Sequence, residues 1–222
     1  MFLVASCCPH YFPPMASCAN EPLKFGGNFA VLNLDWMSVL FDAIKDDRKC
    51  QALMESCAKW NDAVHQKSPR PLTIFTTLSF NPGQPEVKPG SPFARLIAPY
   101  CEFAHGSAEV AIAQHFKVDE HDLILQKTRW SATMGSTLEQ VLRSQNIDTV
   151  VISGLTLSGA VMATIYRLFD SDYNVVVIRD NVAELPIEQT TAFSDVMLHM
   201  LLPKMGLTVM SVDEAICALQ NS

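Results

Sequence analysis

The feature that most constrains this chain is a repeated alternation of short aliphatic runs, apolar on both faces, with stretches of helical periodicity. The runs are Phe29 to Leu34, Leu72 to Thr77, Leu123 to Lys127, Thr149 to Ser153, Asn174 to Ile178 and Thr208 to Met210. A strand with one wet face alternates apolar and polar residues; a strand apolar throughout is covered on both sides, as in parallel sheets. Helical periodicity follows in Gln51 to His65, Thr137 to Ser144, Gly159 to Asp170 and Ile187 to Leu202. The expectation is a three-layer α/β/α sandwich around a mainly parallel six-stranded sheet, Rossmann-like in its winding.

A chain of 222 residues with 49% hydrophobic composition holds one core. Residues 1–22, with Pro9, Pro13 and Pro14, read as a loose N-terminal extension, and 23–222 as the domain. The opening MFLVASCC is apolar but lacks a basic flank, so it is a poor secretory signal. No apolar run reaches the roughly 18–20 residues of a membrane span. The expected location is cytoplasmic, with secretion left open. A net charge of −7 and the lack of any Lys/Arg-rich run exclude the electrostatic footprint of a nucleic-acid binder. The seven cysteines form no Cys-x-x-Cys, and no histidines stand at zinc spacing, so reduced thiols are expected.

In parallel sheets, ligands bind beyond the carboxyl ends of the strands. Three features fall there: Asp35 after the first run, Lys127 closing the third, and the turn from Gly154 to Ala160 after the fourth. Each has an ordinary reading. Asp35 could cap a helix, Lys127 could be a solvated charge, and Ser158 could be an N-cap. The helix start after the turn nevertheless offers free N–H groups suited to an oxyanion or a carboxylate.

Taken together, the segments Ala30-Val31-Leu32-Asn33-Leu34-Asp35, Lys127-Thr128-Arg129-Trp130-Ser131-Ala132 with Thr137-Leu138, and Asn146 to Gly154 resemble the isochorismatase-like (cysteine hydrolase) superfamily. The resemblance runs from about Phe29 to Ala215. It implies that Asp35 is a general acid or base and that Lys127 orients it. It also implies a cis peptide at Leu155-Thr156, a substrate-binding turn including Leu155, Thr156, Ser158 and Gly159, and dimers or tetramers. In the amidase branches a nucleophilic cysteine stands six residues after the glycine; here that position is Ala160.

An alanine forms no thioester, so the covalent route is closed to this polypeptide. Three readings stay open. One is hydrolysis of a small, carboxylate-bearing, isochorismate-like vinyl ether, with Asp35 as acid and no covalent cysteine. The second is an amidohydrolase whose cysteine has been replaced, naturally or by design. The third is an inactive protein that binds a small molecule or a partner. Arg129 is a candidate for a substrate carboxylate, and Phe80, Pro85, Phe93, Trp36 and Trp130 are candidate pocket walls. The long loop from Asn81 to Pro92 would carry some of these. No cofactor is expected. Metal-binding relatives carry Asp-x-His near the second strand; here Asp119-Glu120-His121 precedes the third and reads as a solvated loop, so no metal is expected either. His199, in an otherwise apolar Val196 to Leu202, reads as structural or as part of a subunit contact.

Overall fold

The computed structural model describes residues 23–45 and 47–222; the extension expected over residues 1–22 lies outside the described residues. The strands are β1 (Phe29–Leu34), β2 (Leu72–Leu78), β3 (Leu123–Lys127), β4 (Thr149–Leu155), β5 (Asn174–Ala183) and β6 (Thr208–Met210). They form one sheet in the order β3-β2-β1-β4-β5-β6, and every pairing is parallel. The expected six-stranded parallel sheet is present. The chain starts in the middle, winds outward to β3, then crosses back to β4 and winds the other way. Connections therefore leave β1 and β4 in opposite directions and open a crevice at their carboxyl ends.

The doubly apolar strands follow from where neighbouring side chains go. Val31 enters one core cluster, with Trp60 and Val64 of α2 (Arg48–Gln66) and Ala215 and Leu219 of α8 (Val212–Asn221). Ala30, Leu32 and Leu34 enter the other. That second core holds Leu138 and Leu142 of α4 (Leu138–Ser144), Ile165 and Leu168 of α5 (Met162–Phe169), and Leu202. Alternate residues of a strand point to opposite faces, so a sheet cored on both sides needs apolar residues at both parities.

The smaller elements are α1 (Ser38–Asp42), α3 (Pro92–Ile97), α6 (Thr190–Val196) and α7 (Leu202–Lys204). The helix expected from Ile187 to Leu202 is broken into a 3-10 turn, α6, a π turn at Met197–Leu201 and α7. Two helices were not expected. Within the Pro/Gly-rich loop, α3 starts with Ser91 accepting from the Ala94 N–H at 3.2 Å and proline in its first turn. At the end of the chain, α8 opens with a reciprocal Ser211–Glu214 capping box. Among the described residues no helix is long and apolar enough to cross a membrane, and Cys50, Cys57, Cys101 and Cys217 are free thiols.

The crevice depends on one close approach. Gly154 pairs with Leu34, and a Cβ added at Gly154 would lie 2.4 Å from the Leu34 carbonyl oxygen. The contact is with backbone, which cannot swing aside. Gly154→Ala is therefore expected to lower stability by about 3 kcal/mol or more, measured by guanidinium denaturation. Gly27→Ala, where an added Cβ stays 3.6 Å from the Asp148 carboxylate, serves as the control and should stay within about 0.5 kcal/mol.

Candidate active site

Asp35 leaves the sheet one residue past β1, in the left-handed region at φ 55. Aspartate enters that region more readily than most residues. A backbone bond fixes the residue at the strand ends, and two side chains hold its carboxylate. Its backbone N–H donates to the Thr76 carbonyl at 3.1 Å, and the Thr76 hydroxyl donates to Oδ1 at 3.0 Å. Lys127 Nζ lies 2.7 Å from Oδ2 and also donates to the Arg129 carbonyl at 2.9 Å.

The lysine is wholly buried and the aspartate nearly so, which makes this ion pair unlike a surface one. Two charges out of water persist only if each satisfies the other, and removing one partner strands the other. Burial pushes the Asp35 carboxyl above its ordinary value; the Lys127 charge and hydrogen bonds from Lys127 and Thr76 pull the other way without overcoming it. A carboxyl that holds its proton more tightly than an ordinary aspartate, with a cation beside it to meet the ionised form, has the character of a general acid.

The second wall is the turn after β4. The Leu155–Thr156 bond is cis, at the position the family resemblance implies. Beyond it, Leu157–Val161 form a π turn leading into α5. Gly159 is needed where it stands: a Cβ there would meet Thr156 Oγ1 at 2.5 Å and the Trp130 ring at 3.1 Å. The segment after Lys127 is tied to this turn through Thr164, whose hydroxyl accepts from the Ala132 N–H at 2.9 Å and donates to the Ala160 carbonyl at 2.7 Å. Ser158 does not cap the helix as expected. Its N–H donates to Glu184 Oε2 at 2.7 Å, so a carboxylate occupies the site the sequence offered to an incoming anion.

Between these walls is a cavity of about 220 Å³. Asp35, Leu155, Thr156, Ser158 and Ala160 line it, together with Trp130 and Glu184. Apart from Gln189, the rest of the wall is apolar or aromatic, including Leu96 and Ile97 of α3, Tyr100, Phe103 and Phe193. Lys127 stands behind Asp35.

Trp130 lines the cavity as expected, but Trp36, Phe80, Pro85, Phe93 and Arg129 do not. Trp36 is fully buried in the core against Phe75 and Phe116. Phe80 is also fully buried and packs edge-on against Phe93 and Phe103, behind the wall. Arg129 turns away: it donates to the Glu86 and Thr128 carbonyls, each at 2.6 Å, and its guanidinium lies 4.9 Å from the Phe93 ring centre. It lines a separate, more open depression with Phe93, Met134 and Tyr166. The expected anchor for a substrate carboxylate therefore does not reach the cavity.

Glu184 escapes a reading of the sequence because the aliphatic run of β5 stops at Ile178. Arg179 and Asp180 interrupt it, but the pairing shifts there, from Ile152↔Val177 to Gly154↔Val182, and the strand resumes to Ala183. Such a bulge places the charged pair outside the ladder and re-aims the residues beyond it. Glu184 is thus another carboxylate one residue past a strand end, as Asp35 is.

At the opposite end of the strands, Asp119 and Asp122 meet His65 and Arg70. Asp119, Glu120 and His121 are exposed, as expected of a solvated loop, while the side chain of the adjoining Asp122 is fully buried. His121 stays exposed and offers only its N–H to Asp119. His65, Asp119 and Asp122 stand close enough to share a metal. The Arg70 guanidinium, however, already bonds both carboxylates and supplies the positive charge a metal would bring.

The isochorismatase domain family matches residues 29–214. The maleamate amidohydrolase of Pseudomonas putida is 23% identical over 113 residues, 51% of this chain and 52% of that enzyme; the chain thus spans about half that relative's length. A cysteine hydrolase from Pseudomonas syringae pv. phaseolicola has the same fold, with a TM-score of 0.76 at 14% identity over 91% of this chain and 99% of that one. An isochorismatase family protein from Burkholderia thailandensis gives 0.69 at 21% identity over 90% and 100%.

The buried pair predicts a pH-dependent stability. With its carboxyl raised above 3.8, Asp35 binds its proton more tightly folded than unfolded. Its contribution is full below that value and is lost as pH rises through the folded value. Lys127→Met removes the cation that opposes the shift, so the carboxyl rises further. The variant's deficit against the natural chain should grow from pH 5 to pH 8, reaching about 3–5 kcal/mol at the upper end. Urea denaturation at both pH values measures it; a deficit that does not change with pH would contradict the account.

Proposed function

Because the chain belongs to the isochorismatase family, we propose that it hydrolyses a small organic molecule in this cavity, with Asp35 as general acid and water as the nucleophile. The observation that carries the reading is the buried Asp35–Lys127 pair, which opens on a cavity whose wall, among the described residues, has Ala160 and no cysteine or histidine. An alanine cannot form a covalent intermediate, and the Thr156 and Ser158 hydroxyls have no histidine along the wall to activate them.

A vinyl ether suits this machinery. Asp35 protonates the terminal carbon of the double bond and leaves an oxocarbenium ion. The new carboxylate is balanced by Lys127, a charge already in place. Water adds to the cationic carbon and returns a proton to Asp35. The resulting hemiketal collapses to a ketone or aldehyde and an alcohol. A substrate carboxylate is no part of this proposal, because among the described residues no arginine, lysine or histidine lines the cavity.

A second reading has support in the amidohydrolase named among the relatives and in the place of Ala160 on the cavity wall. It holds that the scaffold is one for amide hydrolysis and that the nucleophile is missing. Turnover of a panel of small vinyl ethers and carboxamides separates the two. The acid mechanism predicts vinyl ether cleavage by the natural chain, cut about 10²–10⁴-fold in Asp35→Asn, with Ala160→Cys bringing no large gain. Amide cleavage that appears only in Ala160→Cys would replace this reading with the second. No turnover by either chain would point to a binding role.

A further inference from the structure

The charge balance of the cavity is one-sided. Among the described residues, its charged wall residues are Asp35 and Glu184, and both are acidic. Lys127 is already engaged, paired with Asp35 and bonded to the Arg129 carbonyl behind it. Glu184 has no such partner: among the described residues no lysine, arginine or histidine forms an ion pair with it.

The Glu184 carboxylate is nonetheless firmly placed. Oε2 accepts from the Ser158 N–H at 2.7 Å and Oε1 from the Leu185 N–H at 3.0 Å. Its own N–H donates to the Thr190 hydroxyl at 3.0 Å. These neutral donors fix the group without cancelling its charge. An ionised carboxylate has about four acceptor positions, so two backbone bonds leave capacity toward the cavity. The residue is only 4% exposed, and a buried charge of this kind is costly unless something of opposite sign meets it.

The surrounding wall adds to the preference. Tyr100, Phe103, Trp130 and Phe193 bring aromatic rings to the cavity, and ring faces attract cations. The negative field of Glu184 reaches Tyr100: burial first, and then Glu184, raises that phenol above its ordinary value.

The geometry points to an organic cation as the ligand of this cavity, a compact primary ammonium with an apolar body, its charge met by Glu184. This rests on the reading of the cavity as the substrate site and makes Glu184 the residue that selects the substrate by charge. A volume of about 220 Å³ lies below the usual range of roughly 300–1,000 Å³ for drug-sized ligands, which limits the ligand to about the size of a benzylamine.

Binding tests it without turnover, so it can succeed or fail apart from the hydrolytic mechanism. Isothermal titration with benzylammonium, benzyl alcohol and benzoate compares three charges on one frame. The methyl signals of Leu155 and Leu185 in a carbon-13 NMR spectrum report whether the ligand sits here. Benzylammonium should bind about tenfold or more tightly than benzyl alcohol, with benzoate weakest. Glu184→Gln keeps the shape and removes the charge, so it should bring the ammonium down to the alcohol while leaving alcohol affinity within about twofold. A purely structural Glu184 would weaken all three together. Equal binding of ammonium and alcohol by the natural chain, tighter binding of benzoate, or no binding of any of the three overturns the proposal, whether or not the variant folds.

Discussion

The buried pair between Lys127 and Asp35 is the constraint on which the rest of this structure depends. A charged pair with so little water around it survives only if both partners arrive with little freedom to separate. The parallel sheet meets that demand. Asp35 follows β1 and Lys127 closes β3, with β2 between them supplying the Thr76 hydroxyl that completes the carboxylate's bonds. Parallel strands bring all of these ends to one edge, and the reversal of winding between β1 and β4 opens the crevice beside them. Gly154 then lets β4 approach β1 closely enough for the cis turn and Ala160 to face the same space.

That arrangement divides labour between two acidic groups that share a wall but not an environment. Asp35 is desolvated, has a cation behind it and holds its proton more tightly than an ordinary aspartate. Glu184 is held by backbone N–H groups and faces the cavity with no cationic partner among the described residues. Carboxyls placed in such different surroundings are suited to different roles: in the proposed chemistry, one delivers a proton and the other meets the ligand's charge. Ala160 leaves the space beside them to water, which is why the proposed chemistry is addition of water and not acyl transfer to the protein.

Much of this was legible in the sequence because it rests on one-dimensional pattern. Runs apolar at both parities specify a sheet covered on both faces, and charged residues at their ends specify what stands at its edge. The failures share a cause, for sequence neighbourhood does not fix direction. Trp36 follows Asp35 directly, yet the left-handed turn at Asp35 sends the indole into the core. Arg129 is two residues from Lys127, but its guanidinium stacks over Phe93. Glu184 lay hidden behind the Arg179–Asp180 interruption, because a bulge and a strand end look alike until the register is known. The last helix could have been found, since Ser211 and Glu214 stand at capping-box spacing.

The central claim is that Asp35 is the proton donor and that burial beside Lys127 sets its ionisation. The most direct test is to titrate the Asp35 carboxyl by carbon-13 NMR and overlay the curve on the pH dependence of kcat/KM for a turned-over vinyl ether. The account predicts one shared ionisation above the ordinary aspartate value of 3.8, with activity falling as the proton leaves. An Asp35 carboxyl that titrates at or below that value, or a rate indifferent to its ionisation, would contradict it.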